Sequence, residues 1–474
     1  MVGGIFAPRL CYLHLGCEFT RLRRAVAFWS GARRPSMGSV ALCFSMAISF
    51  HCAFCEEMPL PEPAAIEIGE SNLLQGETSA DSEMEHQPNF DAAELIAPLE
   101  SSNGAQPASR WKASPHFDGK VTYDDNIFIQ PRNKEADVLF TASPGIGAGF
   151  WDAEERFESY LMRDKRASHI ERPAGNFLIA DYTATLIGFV EHRAENSFDH
   201  DAVFEGHWSN EKVTLSAQFH FQTGSGPDID VGGRVRRRLS TASAGVRYGL
   251  DEKVYFETTG THTASEPEGL VSSVEWKSES WINYLATPLI TLAAGATLGR
   301  LDIENASSET YEQALLRVTY SATEKVAFTA NGGCEFRQQA GESDEVTPVF
   351  GAGVSYTPAE GTVITAEGSR TVEHSEIDAG ENYTLTSFSG RVRRFLSRGI
   401  YLTLEGGYRI AEYTGHGFGA RRKDDYYFVQ PGILYNATRF CNLQMLYVHQ
   451  ENASSLSDFS FTDNQAQFQL SLIY

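Results

Sequence analysis

The stretch Val213-Thr-Leu-Ser-Ala-Gln-Phe-His-Phe221 decides the fold class, because its odd positions are apolar and its even positions are polar. Successive side chains of a β-strand point to opposite faces, so this alternation predicts a strand with one apolar face and one polar face. The same alternation recurs in 242–248, 314–320, 350–356 and 400–410. The predicted strands that contain these runs cover roughly 10–14 residues, a length that suits a tilted strand crossing a membrane.

An internal repeat indicates that these strands form hairpins. An apolar-x-Tyr motif recurs every 36 residues, and the tyrosines of the motif are Tyr248, Tyr284, Tyr320, Tyr356 and, further on, Tyr435. Short turns follow these tyrosines, whereas longer polar segments join the strands at the other end, an asymmetry typical of outer-membrane barrels. Tyrosines at matching depth predict an aromatic girdle, since the ring is apolar and the hydroxyl prefers lipid headgroups. A soluble solenoid or propeller is the alternative, but the repeat suits it less well.

The strand count completes the predicted architecture. We expect an all-β protein, a transmembrane antiparallel up-and-down barrel of about 18 strands, with 16 as the second choice. The first strand is predicted at 116–128, and 151–176 is treated as a long periplasmic insertion. An even number of strands places both ends of the barrel on the short-turn, periplasmic side.

Composition excludes several other classes of protein. The formal net charge of -23 argues against a nucleic-acid partner, because such proteins need basic patches. A mean hydropathy of -0.29 without repeated long apolar runs excludes a polytopic helical membrane protein. Five of the seven cysteines lie in the first 55 residues, and no zinc-site spacing or disulfide framework is present. We therefore expect no metal and no cofactor.

The N-terminal part is interpreted as an export segment followed by a linker. Residues 1–55 are interpreted as a signal peptide or leader, with a basic start, an apolar stretch at 40–50 and a cleavage site near Ala53-Phe-Cys55. Met37 is a second candidate initiator. Residues 56–107 are rich in Asp, Glu and Pro and contain no Lys or Arg, which predicts a disordered acidic periplasmic linker. The barrel is therefore assigned to 108–474.

The strand register also suggests functional residues. At the C-terminus, Phe468, Leu470, Leu472 and Tyr474 alternate with polar residues and are interpreted as the signal read by the barrel-assembly machinery. The opposite register predicts lumen-lining residues, namely Arg247, Arg317, Glu335, Arg337, Arg391, Arg393, Glu405 and Arg409. Unpaired arginines near the periplasmic mouth would favour anions, unless inward glutamates neutralise them.

The first predicted hairpin resembles a known family. Val121-Thr-Tyr-Asp-Asp-Asn-Ile-Phe128 and Asp137-Val-Leu-Phe-Thr-Ala-Ser-Pro-Gly145 resemble the opening of the putative β-barrel porin 2 family of bacterial outer-membrane proteins. The resemblance implies an outer-membrane barrel of a Gram-negative bacterium with a transport role, and it brings no catalytic residues. Outer-membrane lipids and lipopolysaccharide are the implied surroundings, and some members are linked to exopolysaccharide export, which makes export components candidate partners.

Three alternatives remain beside a pore. The stretch Gly206-His-Trp-Ser-Asn210 looks like part of the active-site signature of outer-membrane phospholipase A, but Glu211 departs from that signature, so we expect no enzyme. A barrel plugged by its own acidic segment, or serving as an anchor, is a structural alternative. Calcium binding at Asp124, Asp125 and Asn126 is disfavoured, because neighbours on a strand point to opposite faces.

Overall fold

Eighteen strands make up the barrel, and each pairs with the next in antiparallel register. The computed structural model describes residues 110–151, 176–323, 325–339, 345–414, 421–438 and 440–473. The predicted leader, linker and Tyr474, and most of the 151–176 insertion, lie outside these residues, so those assignments stay predictions. Among the described residues, no helix is long and apolar enough to cross a membrane.

The strands are β1 (Arg110–Asp124), β2 (Asp137–Trp151), β3 (Phe177–Phe189), β4 (Ser197–Ser209), β5 (Val213–Asp228), β6 (Gly233–Gly249), β7 (Val254–Pro267), β8 (Ser273–Thr287), β9 (Ile290–Ile303), β10 (Glu309–Thr323), β11 (Val326–Gln339), β12 (Glu345–Ala359), β13 (Thr362–His374), β14 (Asn382–Ser397), β15 (Ile400–Tyr413), β16 (Lys423–Thr438), β17 (Cys441–Ser454) and β18 (Phe461–Ile473). Two 3₁₀ turns, Arg193–Glu195 and Ser457–Phe459, lie in the connections.

β1 closes the ring by pairing with β18, where Val121 lies opposite Phe468. Closure leaves no exposed sheet edge, which is the condition for a sheet to cross a membrane. The predicted count of 18 strands, the antiparallel order and the up-and-down topology are therefore confirmed. With strands about 4.8 Å apart and tilted by about 40°, a ring of this size has a backbone diameter of roughly 36 Å.

The connections differ between the two ends of the barrel. Apart from the long β2–β3 connection, the connections that follow even-numbered strands are short, for example 288–289, 360–361 and 398–399, and the C-terminal end of β18 lies on the same side. In the 398–399 turn both residues have positive φ, 50° for Arg398 and 79° for Gly399. Such a turn matches the twist of a two-residue hairpin. We call this end the short-turn mouth and the other end the loop mouth.

The first strand ends earlier than expected. β1 stops at Asp124 instead of residue 128, because the Asp124 side chain accepts a hydrogen bond from the backbone N–H of Asn126 at 2.8 Å and turns the chain. The connection 125–136 then carries Ile127, Phe128 and Ile129, which are almost completely buried. The apolar Ile127 and Phe128 continue the strand pattern in sequence, yet they pack inside the loop mouth.

Candidate functional site: the barrel lumen

The two faces of the sheet carry different chemistry. On β10, Leu316 is 69% exposed, whereas its neighbour Leu315 is 7% exposed and packs inward with Trp281. The exposed side is apolar along most strands, as expected for a surface covered by lipid. Most charged side chains of the strands point to the other side, which is the lumen. The lumen is therefore the candidate functional site.

An ion-pair network lies deep in the lumen near the loop mouth. Arg337 donates to Glu335 Oε1 at 2.8 Å and to Glu309 Oε2 at 3.0 Å, and all three residues are buried. The Arg337 guanidinium also lies 4.9 Å from the centroid of the Tyr311 ring. Asn382, four strands away, donates to both carboxylate oxygens of Glu309. The structure thus brings the predicted residues Glu335 and Arg337 together and adds Glu309 to them.

Two further predicted arginines are also in ion pairs. Arg391 Nε and Nη2 each lie 2.8 Å from Glu405 Oε2 on the neighbouring strand. Arg317 donates to Glu257 and, at 2.9 Å, to Asn283 Oδ1. The expected ring of unpaired arginines is therefore wrong for these two residues. Arg391 pairs with the residue directly opposite it on β15, whereas Arg317 on β10 reaches Glu257 three strands away on β7. Both pairings weaken the field that an unpaired arginine would produce.

The remaining predicted arginines lie over tyrosine rings. Arg247 is 3.9 Å from the Tyr255 ring centroid, Arg393 is 4.4 Å from Tyr401, and Arg409 is 5.7 Å from Tyr426. Cation–π contact favours a guanidinium in these positions. Arg247, Arg317, Arg391 and Arg393 lie in the halves of their strands nearer the short-turn mouth, whereas Arg337 and Arg409 lie nearer the loop mouth.

One wall of the lumen is acidic, a feature that the sequence reasoning did not single out. The inward positions of β2–β5, β17 and β18 hold no lysine or arginine among the described residues, whereas β1, which lies between β18 and β2, has Lys120 at an inward position. The carboxylates of these strands that lie in the barrel wall, which we call the acidic wall, are Asp137, Asp181, Asp199, Asp201, Glu205 and Asp463. Histidines accompany some of them, as in the His116–Asp181 pair at 3.0 Å and the His220–Asp201 pair at 3.2 Å. The strand register contained this signal, because every acidic position shares the parity of the buried residues on its strand.

The acidic residues at the first strand end converge after all. Single carboxylate oxygens of Asp124, Asp125 and Asp463 lie within 4.8 Å of one another. The expectation that adjacent residues could not converge is therefore wrong, because β1 has ended and Asp125 no longer follows the alternation. Their contacts include hydrogen bonds at the strand end, for example from the Asn464 N–H to Asp125 at 2.8 Å and from Gln465 to Asp124 at 3.1 Å.

The predicted girdle tyrosines point away from the lumen. Their exposed fractions are similar, 43% for Tyr248, 48% for Tyr284, 40% for Tyr320, 42% for Tyr356 and 40% for Tyr435. A second set of outward tyrosines was not predicted. Tyr408 Oη donates to Asp425 at 2.6 Å and Tyr447 Oη donates to Asn464 at 2.8 Å. Such tyrosines place an apolar ring toward lipid and a satisfied hydroxyl toward polar groups.

The C-terminal strand keeps the predicted register. Phe468 and Leu472 are 46% and 40% exposed on the outer face, and Leu470 lies between them on the same face. His207 and Ser209, the residues of the phospholipase-like stretch, lie on the lumen face at the end of β4, beside the 210–212 turn. The His207 ring stacks on Phe177 with a centroid distance of 5.5 Å.

Comparison with known proteins finds similar solved structures and one family model. No curated protein matches the chain. Among solved structures, OpdK of Pseudomonas aeruginosa with vanillate has 10% identity and a TM-score of 0.41, over 77% of this chain and 99% of that chain. OccAB3 of Acinetobacter baumannii has 10% identity and a TM-score of 0.42 over the same shares. The siderophore receptor PirA of Pseudomonas aeruginosa has 7% identity and a TM-score of 0.37, over 77% and 80%.

The family model matches the part of the barrel that ends the chain. Its range, residues 339–473, covers β12 to β18, whereas the first hairpin that suggested the family lies outside it. The match agrees with the resemblance at the level of the family: over residues 339–473 this chain is similar to the family described as Putative beta-barrel porin 2.

Proposed function

We propose that this chain forms an outer-membrane pore through which small hydrophilic solutes, including oligosaccharides, pass by diffusion. The observation that carries the proposal is the closed ring of 18 strands with an apolar outer face and a charged inner face. Barrels of this size are wide enough to enclose water, and polar walls let solutes keep most of their hydration. The porin family match supports an outer-membrane location and a transport role.

The surroundings follow from the same assignment. The outward tyrosines and apolar side chains would contact membrane lipids, and the C-terminal strand would be read by the assembly machinery. Lipopolysaccharide would lie against the loop mouth, where Arg238 points outward beside Glu266 at 2.9 Å. A component of exopolysaccharide export is the alternative role within this proposal, and export from the periplasm would use the same lumen.

Planar-bilayer recording of the full chain, purified in detergent and folded, tests the pore. Stepwise conductance increases are expected, together with faster liposome swelling in small sugars than in large ones. Folding is checked by heat-modifiable gel mobility and a strand-rich circular dichroism spectrum. A correctly folded protein that never conducts would favour a structural barrel. A lipid-hydrolysis assay beside Ser209→Ala tests the enzyme alternative, and we expect no activity that this change removes.

A further inference from the structure

The connection between β5 and β6 reaches across the loop mouth. β5 pairs with β4 only as far as Thr223, and β6 pairs with β7 only from Arg237 onward. Between these limits, 224–236 form a two-stranded ribbon that extends beyond its neighbours in the barrel wall. We call 224–236 the tip hairpin. Its length of about 16 Å is nearly half the diameter of the ring.

The partners of the tip hairpin belong to the opposite wall. In a closed ring of 18 strands, β13 to β15 lie seven to nine positions from β5 and β6, and nine is as far as the ring allows. Asp230 nevertheless accepts hydrogen bonds from Ser375 Oγ at 3.0 Å, from the Glu376 N–H at 2.8 Å and from Tyr413 Oη at 2.8 Å. These contacts require the tip hairpin and the β13–β14 connection to meet over the lumen.

Arginines reinforce the contact from both sides. Arg422, fully buried, donates to the backbone oxygens of Asp230 at 2.6 Å and Ile229 at 2.7 Å. Its guanidinium lies between the rings of Tyr413 and Phe459, at 4.5 and 3.6 Å. From β6, Arg237 binds Asp228 at 2.6 Å and Glu376 at 2.5 Å. The contact is therefore dense and largely desolvated.

Apolar packing on the lumen side of the tip hairpin strengthens this contact. Ile229 packs against Ile129, Tyr426 and Phe461, so the inward-folded 125–136 connection also meets the tip hairpin. Gly232, with a φ of 67°, lies so close to Phe459 that an added Cβ would be 2.6 Å from its ring. From β7–β8, the Val271 N–H donates to the backbone oxygen of Glu376 at 2.9 Å. Segments from around the mouth thus meet at one point above the lumen.

We propose that the tip hairpin is a gate for the lumen, held closed by the latch of Asp230 on Ser375, Glu376, Tyr413 and Arg422. This inference rests on the proposed pore function and concerns its regulation. The hairpin is built to move separately from the wall, because 224–235 lack ladder partners on the sides of β4 and β7, and the Arg236 backbone oxygen accepts the last bond on that side, from the Glu268 N–H at 2.7 Å. The latch bonds act together with the Arg237 ion pairs and the packing of Ile229, and their loss opens the mouth without disturbing the barrel below.

The register of the hairpin defines a variant that removes the gate. Gly226 is paired with Val235, so replacing 227–234 by Asn-Gly joins the two strands through a two-residue turn of the favoured type. A matched control replaces 302–308 by Asn-Gly, since Leu301 is paired with Glu309 at the same mouth. The control hairpin shortens a connection at this end without removing any latch residue.

Single-channel conductance of the three full-length proteins is compared in planar bilayers, with heat-modifiability as the folding check. We expect the 227–234 replacement to raise conductance or open probability several-fold, and the control to behave as the wild type. A milder variant, Tyr413→Phe, removes one latch hydrogen bond and should raise the open fraction about 3- to 10-fold. Equal conductance of wild type, replacement and Tyr413→Phe would overturn the gate and leave the pore intact. Silence of every folded variant would overturn the pore itself, and the gate with it.

Discussion

Tyr413 and Asp230 are 183 residues apart in the chain, yet the Tyr413 hydroxyl donates a hydrogen bond of 2.8 Å to Asp230 Oδ1. Tyr413 ends β15, and Asp230 is at the turn between β5 and β6 on the other side of the ring. Both residues are buried. A bond between segments of opposite walls means that the loop mouth is spanned by protein.

The latch should respond to pH. Burial and the neighbouring Asp228 raise the pKa of Asp230 to about 6 although hydrogen bonds and Arg422 oppose the shift, and burial with Asp228 raises the pKa of Glu376 to about 7 against the effect of Arg237. Tyr413, Tyr383 and Asp424 are the other titratable groups around them. The closed latch therefore binds more protons than an open one, so closure is favoured below about pH 6 and lost as pH rises through 7. We expect conductance to fall between pH 8 and pH 5.

The control for this pH response is the double change Asp230→Asn with Glu376→Gln, which removes both carboxylates. Its conductance should vary far less over the same range, whereas the exposed Asp302→Asn variant should keep the wild-type response. A wild-type pore that opens further at pH 5 would show that protonation does not close the latch.

The second prediction concerns the buried network of Arg337. Changing Arg337→Met leaves Glu309 and Glu335 buried without their cation, which should lower the free energy of unfolding by about 3–5 kcal/mol. Urea unfolding of the detergent-folded protein, followed by tryptophan fluorescence, measures the loss. Arg300→Met is the matched control, because Arg300 is exposed on the outer side beside Asp302, and it should have little effect. Similar losses of unfolding free energy for Arg337→Met and Arg300→Met would contradict the conclusion that an ion pair matters more for stability when it is buried.

The third prediction concerns ion selectivity. Arg317 and Arg391 are paired, and the carboxylates of the acidic wall outnumber the inward Lys120 on the intervening β1. We therefore expect a preference for cations. Reversal potentials under a KCl gradient measure it. The double change Asp201→Asn with Glu205→Gln should weaken the preference, and Arg391→Gln with Arg393→Gln should strengthen it. Anion selectivity of the wild type would contradict this prediction and would indicate that the lumen arginines determine the selectivity.

The fourth prediction concerns the β3–β4 connection. Burial alone would lower the pKa of His192, but hydrogen bonds to Asp137 at 2.8 Å and Glu135 at 2.7 Å raise it overall. A raised histidine pKa stabilises the docked loop below about pH 6.5, and this stabilisation is lost at higher pH. Protease cleavage at 190–196 should therefore be slower at pH 6 than at pH 8. His192→Gln should remove the difference, and a pH-independent rate in the wild type would contradict it.

The fifth prediction tests export. Mass spectrometry of the protein from isolated outer membranes should give an N-terminus near Glu56, because cleavage is expected after Ala53-Phe-Cys55. Retention of residues before 40 would indicate an uncleaved leader.

The strand pattern could be predicted from the sequence, because each strand is a local unit with one face toward lipid and the other toward water. Alternation at 213–221 and the tyrosine repeat predicted the strand count, and the same parity placed Arg391 and Glu405 on one face. Neither observation required knowledge of which strand lies opposite which. The pairing of Arg391 with Glu405 was open, because it depends on the register between two strands.

The proposed gate could not be predicted from the sequence in this way. By its sequence, 224–233 is a polar loop of an ordinary hairpin, and Ile127 and Phe128 continue the pattern of a strand. Only the closed ring brings the β5–β6 turn to Ser375 and Tyr413, and only the end of β1 at Asp124 sends Ile127 into the mouth. The sequence alone thus determined the barrel, because lipid and water impose a period of two on every strand. The tertiary structure alone decided which segments cover the loop mouth. Contacts across a lumen depend on the size of the ring and the direction of the loops, and neither produces a periodic pattern in the sequence.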